Sequence, residues 1–296
     1  MRTFQQVNPL RTYLRTIRQE GKTIGFVPTM GALHEGHLHL ARRAKGDCDI
    51  VVMSIFVNPT QFSPGEDFDA YPRDLNRDLA LASQAGVDAM FSPEREEIYP
   101  ANSETIVDLP RLGCLLEGIS RPTHFRGVAT VVTKLLNIIQ PENAYFGQKD
   151  YQQLLVIERL TRDLHLTAKI LSVPTVREAD GLALSSRNIY LSPEERKAAT
   201  VLYRCLQHAQ ERVTTGETDP QQLLREIESL LSAEPLANVD YIALANPDTL
   251  EPATSLAGAI TLLALAVRFG KTRLIDNTLL VPEGVALPKN RVGRGG

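Results

Sequence analysis

The feature that most narrows the fold of this chain is a set of short apolar runs that do not alternate. Thr23–Pro28 (TIGFVP), Asp49–Val57 (DIVVMSIFV) and Val87–Phe91 (VDAMF) are each nearly continuous in apolar residues. A strand with one wet face alternates apolar and polar side chains, whereas a strand covered on both faces does not. Between these runs the period changes. Leu10, Tyr13, Leu14 and Ile17 recur at helical spacing and are closed by Gly21, and Gly36–Gly46 and Leu75–Gly86 also read as helices. His124–Gln140 predicts a long helix stopped by Pro141, and Ala144–Gly147 a short strand. The next helix places Leu154, Ile157, Leu160 and Leu164 on one face, and Leu166–Val173 completes the series. Buried strands alternating with helices predict an α/β fold with a Rossmann-like, doubly wound parallel sheet.

After Pro174 the texture changes. A glycine-containing segment, Thr175–Asn188, precedes two helical stretches, Pro193–Val213 and Pro220–Leu231, and strand-like runs at Val239–Ala243 and Ile260–Val267. This predicts a smaller C-terminal α+β domain. The expected division is 1–174 for the first domain, 175–282 for the second and 283–296 for a flexible tail.

Composition excludes several classes. The 296 residues carry 32 basic and 35 acidic side chains, a net charge of −3, which argues against nucleic-acid binding through overall charge. Cys48, Cys114 and Cys205 are widely spaced with no C-x-x-C pair, which disfavours a zinc cage or a disulfide framework and points to a reducing compartment. The most apolar stretch, from Ala259 to Val267, is closed by Arg268, far short of the ~20 residues that span a bilayer. The N-terminal MRTFQQVNPLRTYLR lacks the apolar core of a secretory signal. The expectation is a soluble, cytoplasmic protein with no membrane or nucleic-acid partner.

Four polar clusters fall at strand ends or at the domain junction. The first is Pro28–His37 (PTMGALHEGH), between the first strand and the next helix. Gly31 and Gly36 permit close backbone approach, and N–H groups at a helix start favour an anion. His34 and His37 lie three apart, so one turn aims both at one phosphate, where imidazolium would offset developing charge. His37 and His39 form an H-x-H pair, but on a helix they diverge by ~200°, which disfavours a metal pair. The second cluster is Asn58–Phe62 (NPTQF), where Asn58 and Gln61 offer neutral amides for hydroxyl and carboxylate groups, or Asn58 simply caps a turn. The third is Phe146–Gln153 (FGQKDYQQ). Here Lys149 suits phosphate, Asp150 a water-bridged magnesium ion or a helix cap, and Gln153 lies one turn further on. The fourth, Thr175–Asn188 (TVREADGLALSSRN), offers Ser185, Ser186 and Arg187 for a polyphosphate, although Asp180-Gly181 is also a hairpin signal. Residue chemistry alone stops at a nucleotide-using α/β enzyme.

The motifs go further as a resemblance. His34-Glu-Gly-His37 resembles the HIGH motif of the nucleotidyltransferase superfamily, and Pro28–His37 is similar to its version in the pantothenate synthetase family. Asn58–Phe62, His124–Gly127, Phe146–Gln153, Thr175–Asn188 and Arg273–Asn277 match that family's signatures in the same order, from about Thr23 to Asn277. The resemblance implies ATP-dependent joining of pantoate to β-alanine through a pantoyl adenylate, with Mg2+ on the phosphates. It implies His37, His34 and Lys149 as catalytic groups. Met30, Gly31, Gly36, Gly147, Asp150, Val176, Leu184, Ser185, Ser186 and Arg187 would then surround ATP, Asp150 near the metal. Gln61, Gln153 and Asn58 would serve pantoate. The relatives are homodimers with a small C-terminal lid. Gln148 stands where many relatives carry Glu, Leu184 replaces a common Met, and Arg77 precedes Asp78 where some carry an acid. No acidic role is therefore carried over to Gln148, and no metal role to Arg77–Asp78. An adenylyltransferase acting on a phosphate acceptor and a nucleotide sensor without turnover are the competing readings.

Overall fold

The computed structural model describes residues 1–63, 65–66 and 68–287. The expected tail therefore lies outside the described residues from 288 onward. The chain divides into two compact units, one made of Met1–Gln148 and Gln152–Val173, the other taking in Lys149–Tyr151 and the chain from Pro174.

In chain order the first unit contains β1 (Arg2–Phe4), α1 (Val7–Gln19), β2 (Ile24–Thr29), α2 (Glu35–Asp47), β3 (Ile50–Ile55) and α3 (Leu75–Gln84). It continues with β4 (Ala89–Phe91), α4 (Arg95–Ile98), α5 (Glu117–Ser120), α6 (His124–Ile139), β5 (Asn143–Gly147), α7 (Tyr151–Asp163) and β6 (Lys169–Val173). The strands form one six-stranded parallel sheet in the order β1-β4-β3-β2-β5-β6. Strand order reverses between β2 and β5, the switch point at whose carboxyl ends open α/β sheets bind ligands. Ile24, Phe26 and Val27 of β2 and Val51, Val52 and Met53 of β3 are fully buried on both faces, as their unbroken apolar runs require. The doubly wound fold is thus the one expected.

Local details differ from the sequence reading. Arg2–Phe4 adds a parallel edge strand beside β4 that three residues with no flanking pattern do not announce. Leu164 falls beyond the end of α7 and is exposed, whereas Leu154, Ile157 and Leu160 are buried as the period required. α6 ends at Ile139 with Gln140 as a left-handed cap (φ 50°), one residue before Pro141, whose ring disfavours a helical predecessor.

The second unit contains α8 (Pro193–Ala198), α9 (Val201–Thr214), α10 (Pro220–Ser232), β7 (Ala237–Ala245), β8 (Thr261–Phe269) and β9 (Thr272–Leu280). The expected single helix over 193–213 is broken at Ala199-Thr200, where three-residue hydrogen bonds such as Leu202 N–H to Ala199 C=O (3.2 Å) tighten the turn. Ser192 and Glu195 form a reciprocal capping box, and Pro193 occupies the first helical position. The three strands make an antiparallel sheet, β7-β8-β9. Its central strand carries Leu263, Leu265, Val267 and Phe269, all fully buried against α9 and α10. β9 was not expected as a strand, because Asp276 and Asn277 interrupt its apolar pattern.

Those two polar residues are buried for a reason. Asp276 accepts two hydrogen bonds from the Arg177 guanidinium, at 2.6 and 2.9 Å, and is 1% exposed. Arg177 also donates to the Gly181 carbonyl at 3.0 Å and lies over the Tyr203 ring at 4.8 Å. Gly181 has φ +91°, and a Cβ there would sit 1.8 Å from Tyr203, so the turn requires glycine. Asp276→Ala strands a guanidinium whose side chain is 20% exposed. The expected cost is about 3 kcal/mol, read as a lower denaturant midpoint for the second unit.

Candidate active site

The turn that follows β2 is held by side chains from β2 and α3. Gly31 N–H donates to Thr29 Oγ1 at 3.2 Å, and the N–H groups of Ala32 and Leu33 donate to the Asp78 carboxylate at 2.9 and 2.8 Å. Gly31 (φ +85°) and Ala32 (φ +49°) are both left-handed, a conformation that costs about 1–2 kcal/mol for a residue with a Cβ such as Ala32. Asp78 is 1% exposed in the first turn of α3, whose amino end favours its charge. Burial pushes its carboxyl above the ordinary value, while the two backbone N–H bonds pull it back.

His34 is the N-cap of α2. Its Nδ1 accepts from Gly36 N–H at 3.2 Å, and His37 Nδ1 accepts from His34 N–H at 3.3 Å. The ring centroids stand 4.0 Å apart. A Cβ on Gly36 would fall 2.9 Å from His34 Cε1, so the glycine makes room for the imidazole. The structure thus brings the two histidines together as the spacing required, but it corrects one expectation. The N–H groups of Gly31, Ala32, Leu33, His34 and Gly36 already have acceptors within the protein, because a buried turn cannot leave its donors unpaired. Most donors of this turn are therefore spent inside the protein. With Nδ1 accepting, the nitrogen of each ring that can donate is Nε2. His39 is exposed on α2.

At the end of β3 the amides form a directional chain. Asn58, 1% exposed, accepts at Oδ1 from Tyr99 OH (2.9 Å) and Thr60 Oγ1 (2.9 Å). Its Nδ2 donates to the Gly127 carbonyl (3.1 Å) and to Gln61 Oε1 (3.0 Å). The Gly127 carbonyl settles which end of Asn58 is the donor. Gln61 Oε1 is therefore an acceptor, and Nε2 donates towards Met30 Sδ at 3.0 Å. The turn at Pro59–Gln61 packs directly on α6, where a Cβ on Gly127 would come within 2.4 Å of the Thr60 carbonyl oxygen. His124 fixes the same turn from the other side. Its Nδ1 meets the Gln61 carbonyl at 2.9 Å, and its Nε2 faces Arg121 Nη1 at 3.3 Å while Arg121 pairs with Glu66.

Of the two glutamines in α7, Gln152 is committed to structure. It donates to the Leu112 and Leu115 carbonyls at 2.8 and 2.7 Å and accepts from Glu117 N–H at 3.0 Å. Gln153 is half-buried. Gly147, at the end of β5, has open space where a Cβ would stand.

In the second unit, Lys149 Nζ lies 3.8 Å from the exposed Asp150 carboxylate, and its backbone carbonyl accepts from Asn277 Nδ2 at 2.7 Å. The segment 175–188 is a hairpin, with Arg177 bridged to Ala183, a turn closed by Gly181 N–H to Glu178 C=O (2.9 Å), and Arg196 paired with Glu178 and Asp180. Its returning arm carries Leu184, Ser185, Ser186 and Arg187, all half-buried, with Leu184 N–H bonded to the Val176 carbonyl at 3.0 Å. Ser185 caps the short helix Ser186–Tyr190 through Arg187 N–H (3.3 Å). Hairpin geometry and the two half-buried hydroxyls coexist in one loop.

The family model described as pantoate-beta-alanine ligase matches residues 2–279. The chain belongs to the pantoate–β-alanine ligase family. The pantothenate synthetase of Pelotomaculum thermopropionicum is 57% identical over 274 residues, covering 93% of this chain and 97% of the relative. That of Carboxydothermus hydrogenoformans is 54% identical, covering 95% and 99%. Among solved structures, the Thermus thermophilus pantothenate synthetase superposes with a TM-score of 0.90 at 50% identity, covering 95% of this chain and all of that one. The Francisella tularensis pantoate–β-alanine ligase, complexed with β,γ-ATP and β-alanine, gives a TM-score of 0.78 at 36% identity, covering 94% and 97%.

Several residues that shape this ligase-family site carry no local sequence signal. Asp78, Tyr99 and Gln152 act on backbone or amides far away in the chain, and a single sequence does not display such contacts. Gly127 and His124 lie in a segment that the resemblance marked without giving them a role. His124 is testable by pH. Burial first, and the Arg121 charge second, push its pKa down to about 4 from an unfolded value near 6.5. A depressed pKa favours the neutral ring in the folded state, so the contribution is complete above pH 6.5 and is lost as pH falls towards 4. Chemical denaturation across that window is expected to show a loss of about 3 kcal/mol that is missing in His124→Gln.

Proposed function

We propose that this chain condenses pantoate with β-alanine, using ATP, to give pantothenate, AMP and pyrophosphate. The observation that carries the reading is family membership over nearly the whole chain, together with paired imidazoles at the switch point of the sheet. In the first half-reaction a pantoate carboxylate oxygen attacks the α-phosphorus, the bond to pyrophosphate breaks, and pantoyl adenylate forms. In the second, the β-alanine amine attacks the acyl carbon, AMP leaves with the bonding pair, and the amine loses a proton.

His34 and His37 serve as Nε2–H donors to the α-phosphate oxygens, where charge builds during attack. Gln61, its Oε1 engaged by Asn58, presents its Nε2–H group to a pantoate oxygen. Gln153 grips the same substrate, and Asn58 supports the pocket. Lys149, Ser185, Ser186 and Arg187 hold the phosphates through charge and hydroxyl contacts. Met30, Gly31, Gly36, Gly147, Val176 and Leu184 line the nucleotide. Residues 1–174 form the ATP- and pantoate-binding domain and residues 175–282 a C-terminal domain that supplies phosphate ligands.

Magnesium fits this donor set only as a guest of the phosphates. Among the described residues no three His, Cys, Asp or Glu side chains cluster to cage an ion, while Asp150 is exposed and suited to an outer, water-bridged contact. When bound, the ion would neutralise phosphate charge. The reading includes a homodimer in the cytoplasm. Among the described residues no helix is long and apolar enough to cross a membrane.

Isotope exchange between pyrophosphate and ATP tests the assignment. Exchange is expected to require pantoate and not β-alanine, and exchange indifferent to pantoate overturns the reading. His37→Ala is expected to slow single-turnover adenylate formation by about 10²–10³-fold while changing ATP affinity far less. An unchanged rate removes His37 from the catalytic groups.

A further inference from the structure

The sequence reading gave Asp78 no role, yet it is the most constrained carboxylate near the histidine turn. It is almost completely buried, and both of its oxygens face that turn. Oδ2 accepts from Ala32 N–H at 2.9 Å and Oδ1 from Leu33 N–H at 2.8 Å. The residues it holds are left-handed Ala32, which follows left-handed Gly31, and Leu33 next to it. Leu33 is fully buried, and His34 follows as the helix cap. No flexible residue separates the carboxylate's grip from the first imidazole. His37 is in turn tied to His34 through the backbone N–H that its Nδ1 accepts. A contact at residues 32–33 is thereby passed to both rings through two peptide units and one hydrogen bond. Gly31 leaves no slack on the other side, since a Cβ there would sit 3.0 Å from both Asp78 Oδ2 and Ile55 Cγ2.

We propose that Asp78 is a positioning residue for adenylate formation, whose carboxylate fixes the turn between β2 and α2 and so the placement of the His34–His37 pair. The proposal rests on the reading above that these imidazoles meet the α-phosphate. Asp78 itself touches backbone rather than substrate. Its role is geometric, and it requires two acceptor oxygens. Asparagine keeps the volume but supplies one acceptor oxygen and an NH2 donor group, so one of the two backbone donors would face another donor. The turn can relieve that clash by letting Ala32 return towards negative φ, which swings the cap residue.

The experiment compares wild type, Asp78→Asn and His37→Gln in the full chain by pantoate-dependent pyrophosphate exchange and by 15N chemical shifts of the ring nitrogens of His34 and His37. For Asp78→Asn the expected result is a fall in exchange kcat of about 100-fold, as for a misplacement near 1 Å, with KM for pantoate changed less than about twofold. The Nδ1 signals, acceptor-like in wild type, are expected to move towards a mixed tautomer. A native kcat with unmoved nitrogen shifts overturns the proposal, as does a rise in KM with kcat intact. If Asp78→Asn does not fold, Thr29→Val removes the acceptor of Gly31 N–H at the other end of the same turn. It is expected to lower kcat by about 10-fold at constant KM, and a native kcat in that variant is equally fatal. Full exchange in His37→Gln rejects the catalytic reading instead. The nitrogen shifts then decide on Asp78 alone, supporting it if they move and overturning it if they do not.

Discussion

A parallel sheet covered on both faces confines polar chemistry to the ends of its strands, and there the backbone runs out of ladder partners. In this protein the donors released at the end of β2 are taken up by Thr29 and Asp78, and the turn after β3 is gripped by Asn58, His124 and Gly127. These contacts are what make the switch point a rigid site rather than a pair of loops. They come from β2, the turn after β3, α3 and α6, so their arrangement is an outcome of how the whole first unit packs.

The same satisfaction rule decides the character of the histidine pair. A helix N-terminus usually offers bare N–H groups to an anion. Here the imidazoles take two of the N–H groups at that end, His34 that of Gly36 and His37 that of the cap residue His34. The amide chain from Tyr99 through Asn58 to Gln61 works in the same way: each donor and acceptor is assigned by its neighbour, and the last amide group points its Nε2 towards Met30.

Much of the fold was legible because burial on two faces leaves an unbroken apolar run, and because His34 and His37 lie within one helical turn. The segments that escaped did so for physical reasons. β1 has three residues and is defined only by its pairing with β4. β9 carries Asp276 and Asn277, whose burial makes sense only once Arg177 and the Lys149 carbonyl stand opposite them. Leu164 continues a helical period on paper, but α7 stops at Asp163 and the side chain faces water. Of the two adjacent glutamines, nothing local says that Gln152 is fastened to three backbone groups while Gln153 is not.

What the sequence by itself determined was the kind of sheet, its four central strands β2–β5 and the polar clusters at strand ends, since these follow from periodicity and residue type within a few positions. The tertiary structure alone decided which donors and acceptors those residues still had to offer. Hydrogen bonds such as Asp78 to Ala32 and Leu33, 46 and 45 positions away, join groups with no sequence relationship, and they are set only when the segments have packed.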